Sequence, residues 1–172
     1  MSDLERPLFN QVVVLTGGAG GIGTATAKAL AAAGAKVAIG DLDGDAAAAL
    51  ADSLGEGHYG AQLDVTDYAG FEKFVDEAEA ELGPLYAIVN NAGLMPLNAV
   101  DEEPREITEL QINVNLYGVV NGTQIAMHKL KPLRRGQIVN IASQAGKTGF
   151  PGGATYCATK FAVVGLSEAV RN

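Results

Sequence analysis

Tyr156 and Lys160 stand four residues apart in the stretch "YCATK", and on a helix that spacing puts both side chains on one face, one turn apart. A free tyrosine hydroxyl ionises only near pH 10, so a tyrosine that handles protons near neutrality needs a cation within about 4–6 Å. Lys160 is placed to be that cation. Taken alone the pair is an ordinary surface motif, and its weight depends on what the rest of the chain builds around it. Near the other end, "TGGAGGIG" spans residues 16–23, after an apolar run and before an alanine-rich one. Strand, tight glycine turn and helix N-terminus in that order aim backbone N–H groups and the positive end of a helix dipole at a pyrophosphate. Gly17 permits the turn, Gly21 lets a phosphate approach the backbone, and Gly23 lets the helix pack close to the strand. By chance a T-G-x-x-x-G-x-G pattern arises only about 0.02 times in a chain of this composition.

Asp41 closes the next apolar run, eighteen residues after Gly23. A carboxylate there can accept hydrogen bonds from an adenosine ribose diol and would repel a 2′-phosphate. Neither the glycine turn nor the residues immediately after Asp41 include lysine or arginine, which favours NAD over NADP.

These residues need elements to hold them. Apolar runs at 12–16, 36–41, 58–63, 85–90 and 137–142 alternate with longer helical patterns, the signature of βαβ units and a parallel sheet. Four of the five runs are apolar at consecutive positions, as strands buried on both faces should be. Helices are expected over Thr24 to Ala33, closed by Gly34, and over Asp45 to Leu54, closed by Gly55. A third carries the apolar stripe Phe71, Phe74, Val75, Ala78 and Leu82. A fourth runs from about Arg105 to Leu130, apolar nearly all round, and a fifth from about Thr155 onward. The fifth has no closing glycine and no strand to return to, so the βαβ unit it belongs to is open.

The bulk composition narrows the partners. With 172 residues and 48% apolar residues, one globular α/β domain is expected. A net charge of −8 argues against nucleic acid and anionic membranes, both of which are themselves negative. The single cysteine, Cys157, and the polar start "MSDLERPLFN" fit a reducing, cytoplasmic setting. His58 and His128 have no ligand-spaced partner, so no metal site is expected. Cys157 reads as a packing residue, and Lys129, Lys131, Arg134 and Arg135 as a solvated basic cluster.

Together the motifs resemble one family, the short-chain dehydrogenases/reductases. The resemblance rests on "TGGAGGIG", "LDV" at 63–65, "NNAG" at 90–93, "VNLYG" at 114–118, "IAS" at 141–143 and "YCATK", all in the family's order and spread over nearly the whole chain. It implies a doubly wound parallel sheet, a Rossmann fold. Tyr156 would then be the catalytic acid/base, Lys160 would assist it by its charge and hold the nicotinamide ribose, and Ser143 would hydrogen-bond the substrate carbonyl. Asn115 would anchor a water-linked proton relay. Cofactor contacts would fall on Thr16, Gly17, Gly21, Ile22, Gly23, Asp41, Asp64, Val65, Asn91, Ala92 and Gly93, and on Tyr156 and Lys160 themselves, with Asn90 stabilising the central strand. Gln144, Met95 and the turn at 149–153 flank the implied substrate position.

The implied activity is NAD-dependent hydride transfer between the cofactor and a secondary alcohol or ketone. Its rivals are a non-catalytic dinucleotide-binding module and an NADP-linked 3-oxoacyl-type ketoreductase. The family's usual further strands, substrate loop and last helix do not follow the Tyr/Lys helix, so the sequence is expected to be part of a longer protein. Dimers or tetramers built on the helices at about 105–130 and 155–172 are also expected.

Overall fold

The computed structural model describes residues 7–171. Five strands, β1 (Val12–Thr16), β2 (Lys36–Asp41), β3 (Tyr59–Gln62), β4 (Leu85–Asn90) and β5 (Gln137–Asn140), form one sheet in the order β3-β2-β1-β4-β5. Every pairing is parallel, as the consecutive apolar runs require. The helices are α1 (Gly21–Ala32), α2 (Gly44–Leu54), α3 (Tyr68–Leu82), α4 (Arg105–Ile112), α5 (Gly118–Leu130) and α6 (Ala154–Arg171). The order reverses between β1 and β4, so the carboxyl ends of those two strands open a crevice.

Alternation along β1 divides the core. Val12 and Val14 face a layer built by Phe71, Phe74 and Val75 of α3 with Ile125 and Ala126 of α5. Val13 and Leu15 face the opposite layer, where Ala27 of α1 and Ala47 and Ala51 of α2 lie on Val37 and Ile39. Alanine dominates the second layer, so α1 and α2 approach the sheet closely. Gly34, Gly55 and Gly83 follow their helices with positive φ, a conformation that costs glycine least.

Several boundaries differ from the sequence-based expectation, some for a plain local reason. α1 begins at Gly21, not Thr24, because the glycine turn itself is wound into the first helical turn. β5 ends at Asn140: β4 stops at Asn90, and Ile141 N–H donating to the Asn90 carbonyl at 3.0 Å is the last bond across the pair. The segment expected as one helix from Arg105 to Leu130 is α4 and α5 joined by a π-helical turn over Asn113–Tyr117. The backbone stays helical throughout, and the wider turn shifts the faces of the two halves relative to each other. None of the helices among the described residues is long and apolar enough to cross a membrane.

β3 starts one residue later than expected because His58 serves the sheet with its ring. Val37 N–H donates to His58 Nδ1 at 3.1 Å, so the imidazole must be neutral with its proton on Nε2. Burial pushes its pKa below the usual 6.5. A histidine with a folded pKa below its unfolded one adds stability that is present above about pH 6.5 and lost as pH falls toward the folded value. Urea unfolding at pH 7.5 and pH 5.5 should show this loss in the wild type, and a smaller one in His58→Gln. Equal losses in both proteins would remove His58 as the cause.

Candidate active site

The crevice is organised from Thr16, the last residue of β1. Its Oγ1 accepts from both Asn91 N–H and Ala92 N–H, each at 3.0 Å. In return Asn91 Nδ2 donates to the carbonyls of Thr16 at 2.9 Å and Gly17 at 3.0 Å. These four bonds fasten the glycine turn to the end of β4. The approach is so close that a Cβ on Gly17, whose φ is +62°, would stand 2.7 Å from Ala92 Cα. Gly23 has even less room, since a Cβ there would meet the Gly17 carbonyl oxygen at 2.1 Å. Gly21 faces open space.

Asp41 shapes the turn from the other side. Its Oδ2 accepts from Ala19 N–H at 2.9 Å and its Oδ1 from Asp43 N–H at 3.2 Å. Thr24 Oγ1 reaches back to the carbonyls of Gly18 and Ala19. α1 has no side-chain cap and no acidic residue in its first turn, so its leading N–H groups and dipole are uncompensated and favour an anion. Beside them lies a cavity of about 480 Å³. Gly17, Gly21, Ile22 and Gly23 form one wall, Asp41, Asp64 and Val65 a second, and Asn91, Ala92 and Gly93 a third. The open Gly21, the uncapped helix and a carboxylate on the rim fit the pyrophosphate and ribose of a dinucleotide.

Of the cofactor residues expected from the sequence, only Thr16, Tyr156 and Lys160 are not on this wall. Thr16 is buried beneath the turn at 1% exposure and acts through Asn91 and Ala92. Asp64 orders its own corner, with Oδ1 accepting from Thr66 N–H at 2.9 Å and Oγ1–H at 2.7 Å. Val65 is held by Asn121 of α5, whose Nδ2 donates to its carbonyl at 2.9 Å.

Of the four residues implied as catalytic, Asn115, Lys160 and Tyr156 come together past Gly93, where β4, the π turn and α6 meet, and Ser143 lies just beyond β5. Asn115 is fully buried. Its Oδ1 accepts from Leu94 N–H at 2.9 Å, and its Nδ2 donates to the Leu94 carbonyl at 2.8 Å and toward Thr159 Oγ1 at 3.4 Å. A Cβ on Gly93 would lie 3.2 Å from Asn115 Oδ1 and 3.7 Å from Lys160 Nζ, so the missing side chain leaves that passage open. Lys160 is 4% exposed and donates from Nζ to the Ile141 carbonyl at 2.8 Å. The same Nζ lies 5.7 Å from the centroid of the Tyr156 ring. Burial lowers the Lys160 pKa, and among the described residues no carboxylate lies within ion-pair distance of it. Ser143 Oγ accepts from Ala145 N–H at 3.1 Å, closing a short 3-10 turn over Gln144–Gly146. Because that oxygen is used as an acceptor, its hydroxyl proton remains free to donate.

Sequence reasoning missed several contributors. Leu110 and Val114 also line the cavity, and their four-residue spacing across the end of α4 was the available signal. Leu94 and Ile141 act through backbone atoms that no side-chain pattern marks. The substrate-flanking positions are only placed: Met95 and Phe150 are exposed, and Gly153 is buried.

Comparison with known proteins agrees with this geometry. The family described as short chain dehydrogenase matches residues 11–172. L-2,3-butanediol dehydrogenase of Corynebacterium glutamicum is 37% identical over 166 residues, covering 93% of this chain and 64% of that protein. A 3-alpha-(or 20-beta)-hydroxysteroid dehydrogenase of Mycobacterium bovis is 37% identical over 163 residues, covering 94% and 62%. Among solved structures, the apo form of LigO from Sphingobium sp. strain SYK-6 superposes with a TM-score of 0.90 at 32% identity, covering 99% of this chain and 64% of that one. A short chain dehydrogenase/reductase from Burkholderia phymatum in complex with NAD gives a TM-score of 0.90 at 31% identity, covering 95% and 59%. This chain therefore spans about three fifths of the length of the relatives it matches. With its glycine turn, its crevice between β1 and β4 and a family match that runs to its last residue, the chain belongs to the short-chain dehydrogenase family.

Proposed function

We propose that the protein is an NAD-dependent oxidoreductase that interconverts a secondary alcohol and its ketone. The observation that carries this reading is Lys160, a buried amine with no carboxylate partner among the described residues, held beside Tyr156 and Asn115 at the end of a dinucleotide-sized cavity. Burying an unpaired charge is costly, and such groups concentrate where the charge is used. NAD, when bound, supplies or accepts the hydride.

The chain's own residues do the rest. The Ser143 hydroxyl donates to the substrate oxygen and stabilises charge that develops there. Tyr156 gives its hydroxyl proton to that oxygen in reduction and takes it back in oxidation. Lys160, fixed by the Ile141 carbonyl, keeps positive charge beside Tyr156 and reaches the ribose side of the cleft. Asn115 holds the Leu94 backbone so that the passage past Gly93 stays formed. Asp41 on the cavity rim, followed by Leu42 and Asp43, gives the preference for NAD over NADP, because a 2′-phosphate would meet carboxylate and no cation. Exposed Leu110, Tyr117 and Phe161 offer the apolar area on which a second copy would pack into a homodimer or homotetramer.

Fluorescence titration should show saturable binding of NADH and at least tenfold weaker binding of NADPH. Equal binding would overturn the role given to Asp41. With NAD⁺ and either butane-2,3-diol or a 3α-hydroxysteroid as probe alcohol, Tyr156→Phe should lose turnover by at least about a hundredfold while its NADH affinity stays within twofold. Substantial residual turnover would sink the assignment. Lys160→Met should abolish turnover yet raise the thermal midpoint, since it removes an uncompensated buried charge; a lower midpoint would show that the ammonium is compensated after all.

A further inference from the structure

One carboxylate of the loop between β4 and α4 ties α4 to α6. Glu103 Oε1 accepts from Thr155 Oγ1 of α6 at 2.5 Å and from Thr108 Oγ1 of α4 at 2.7 Å. Its Oε2 accepts from Gln111 Nε2 of α4 at 2.9 Å, and Gln111 is fully buried. Thr155 immediately precedes Tyr156 and is the second residue of α6. The same loop grips the entry to α6 once more, as Asn98 N–H donates to the Gly152 carbonyl at 2.9 Å. No capping side chain from α6's own sequence does this work. The carboxylate reaches the helix across 52 positions.

We propose that Glu103 is a positioning residue: it locks the first turn of α6 to α4 and so fixes the Tyr156 hydroxyl relative to the cleft wall that α4 supplies. This rests on the role proposed for Tyr156 and goes beyond it, because Glu103 does not line the cavity. The three donors, Thr155 foremost, hold the Glu103 carboxyl below the usual carboxylate range, so it is ionised and accepting at neutral pH. Charge-assisted hydrogen bonds of this kind are the stronger ones. Their geometric consequence is specific. Leu110 and Val114 line the cavity from α4 and the π turn, and Tyr156 stands on α6. Among the described residues, the other hydrogen bonds joining the entry of α6 to this side of the cleft are the Asn98 contact and Asn115 toward Thr159.

Thr155→Val deletes one donor at nearly constant shape, Thr155→Ser keeps it, and Glu103→Gln removes the charge and one acceptor. The readouts are kcat and KM for NAD⁺-dependent oxidation of the probe alcohol, NADH affinity, and amide hydrogen exchange along α6. Thr155→Val and Glu103→Gln should lower kcat about tenfold, given the sensitivity of transfer to sub-ångström placement. KM and NADH affinity should stay within twofold, exchange should quicken only at 154–158, and Thr155→Ser should restore kcat. An unchanged kcat in Thr155→Val, a loss that serine fails to rescue, or an equal loss of NADH affinity would overturn the inference while leaving the role of Tyr156 intact. If the wild type oxidises neither probe, the choice of substrate class fails separately. Hydrogen exchange then decides: faster exchange confined to 154–158 supports the lock, and unchanged exchange in both variants refutes it.

Discussion

The cleft depends on one hydroxyl oxygen. Thr16 Oγ1, at the end of β1, accepts two N–H groups from the chain leaving β4, and Asn91 returns two donations. Each such bond adds about 0.5–1.5 kcal/mol net, so four of them hold the strand ends firmly. The gain matters less than the geometry. With the strand ends fixed, Gly17 lies against Ala92, the turn has one course, and Gly93 and Leu94 are delivered to Asn115 and Lys160. A β-branched alcohol at the strand end is the simplest residue that can both pair in the ladder and receive two donors.

Beyond that clamp the molecule separates stability from chemistry. Two apolar layers, one on α3 and α5 and one on α1 and α2, carry the hydrophobic stabilisation. A polar seam runs between β4, β5, α5 and α6. There Asn90 Nδ2 donates to Asn140 Oδ1 at 2.8 Å, and Asn140 Nδ2 donates to Ser167 Oγ at 3.0 Å. Among the described residues Asn90 Oδ1 remains buried without a partner, a cost of about 1–3 kcal/mol, and Lys160 has no carboxylate within ion-pair distance. A seam so built favours one arrangement of β5 and α6, because any slip would strand several amides at once.

Much of this was legible in the sequence. Consecutive apolar runs such as "VVVL" and "AIVN" gave the parallel sheet, since only strands buried on both faces lack alternation. The glycine turn and the Tyr156–Lys160 spacing mark the two ends of the candidate site, because both are local: a turn and one helical step. What stayed hidden is tertiary. The π turn adds a residue to a helix without leaving a mark in apolar periodicity, yet it sets where Asn115 points. His58 stands out in the sequence only for lacking a ligand-spaced partner and Glu103 for nothing at all, and nothing short of the fold brings the first beside Val37 or the second beside Thr155.

Asp41 joins two duties that chemistry keeps apart in simpler sites. Its carboxylate stands on the cavity rim, yet both oxygens already accept backbone N–H groups, from Ala19 in the glycine turn and from Asp43 beyond β2. A carboxylate oxygen has lone pairs to spare, so a ribose hydroxyl can share it with the turn. A replacement that presents a cation cannot make the same exchange. It would leave Ala19 N–H without its acceptor and free the turn that Thr16 and Asn91 grip from the other side. Under the proposed reading, cofactor selectivity and the shape of the glycine turn are one property of this residue, and altering the first means rebuilding the second.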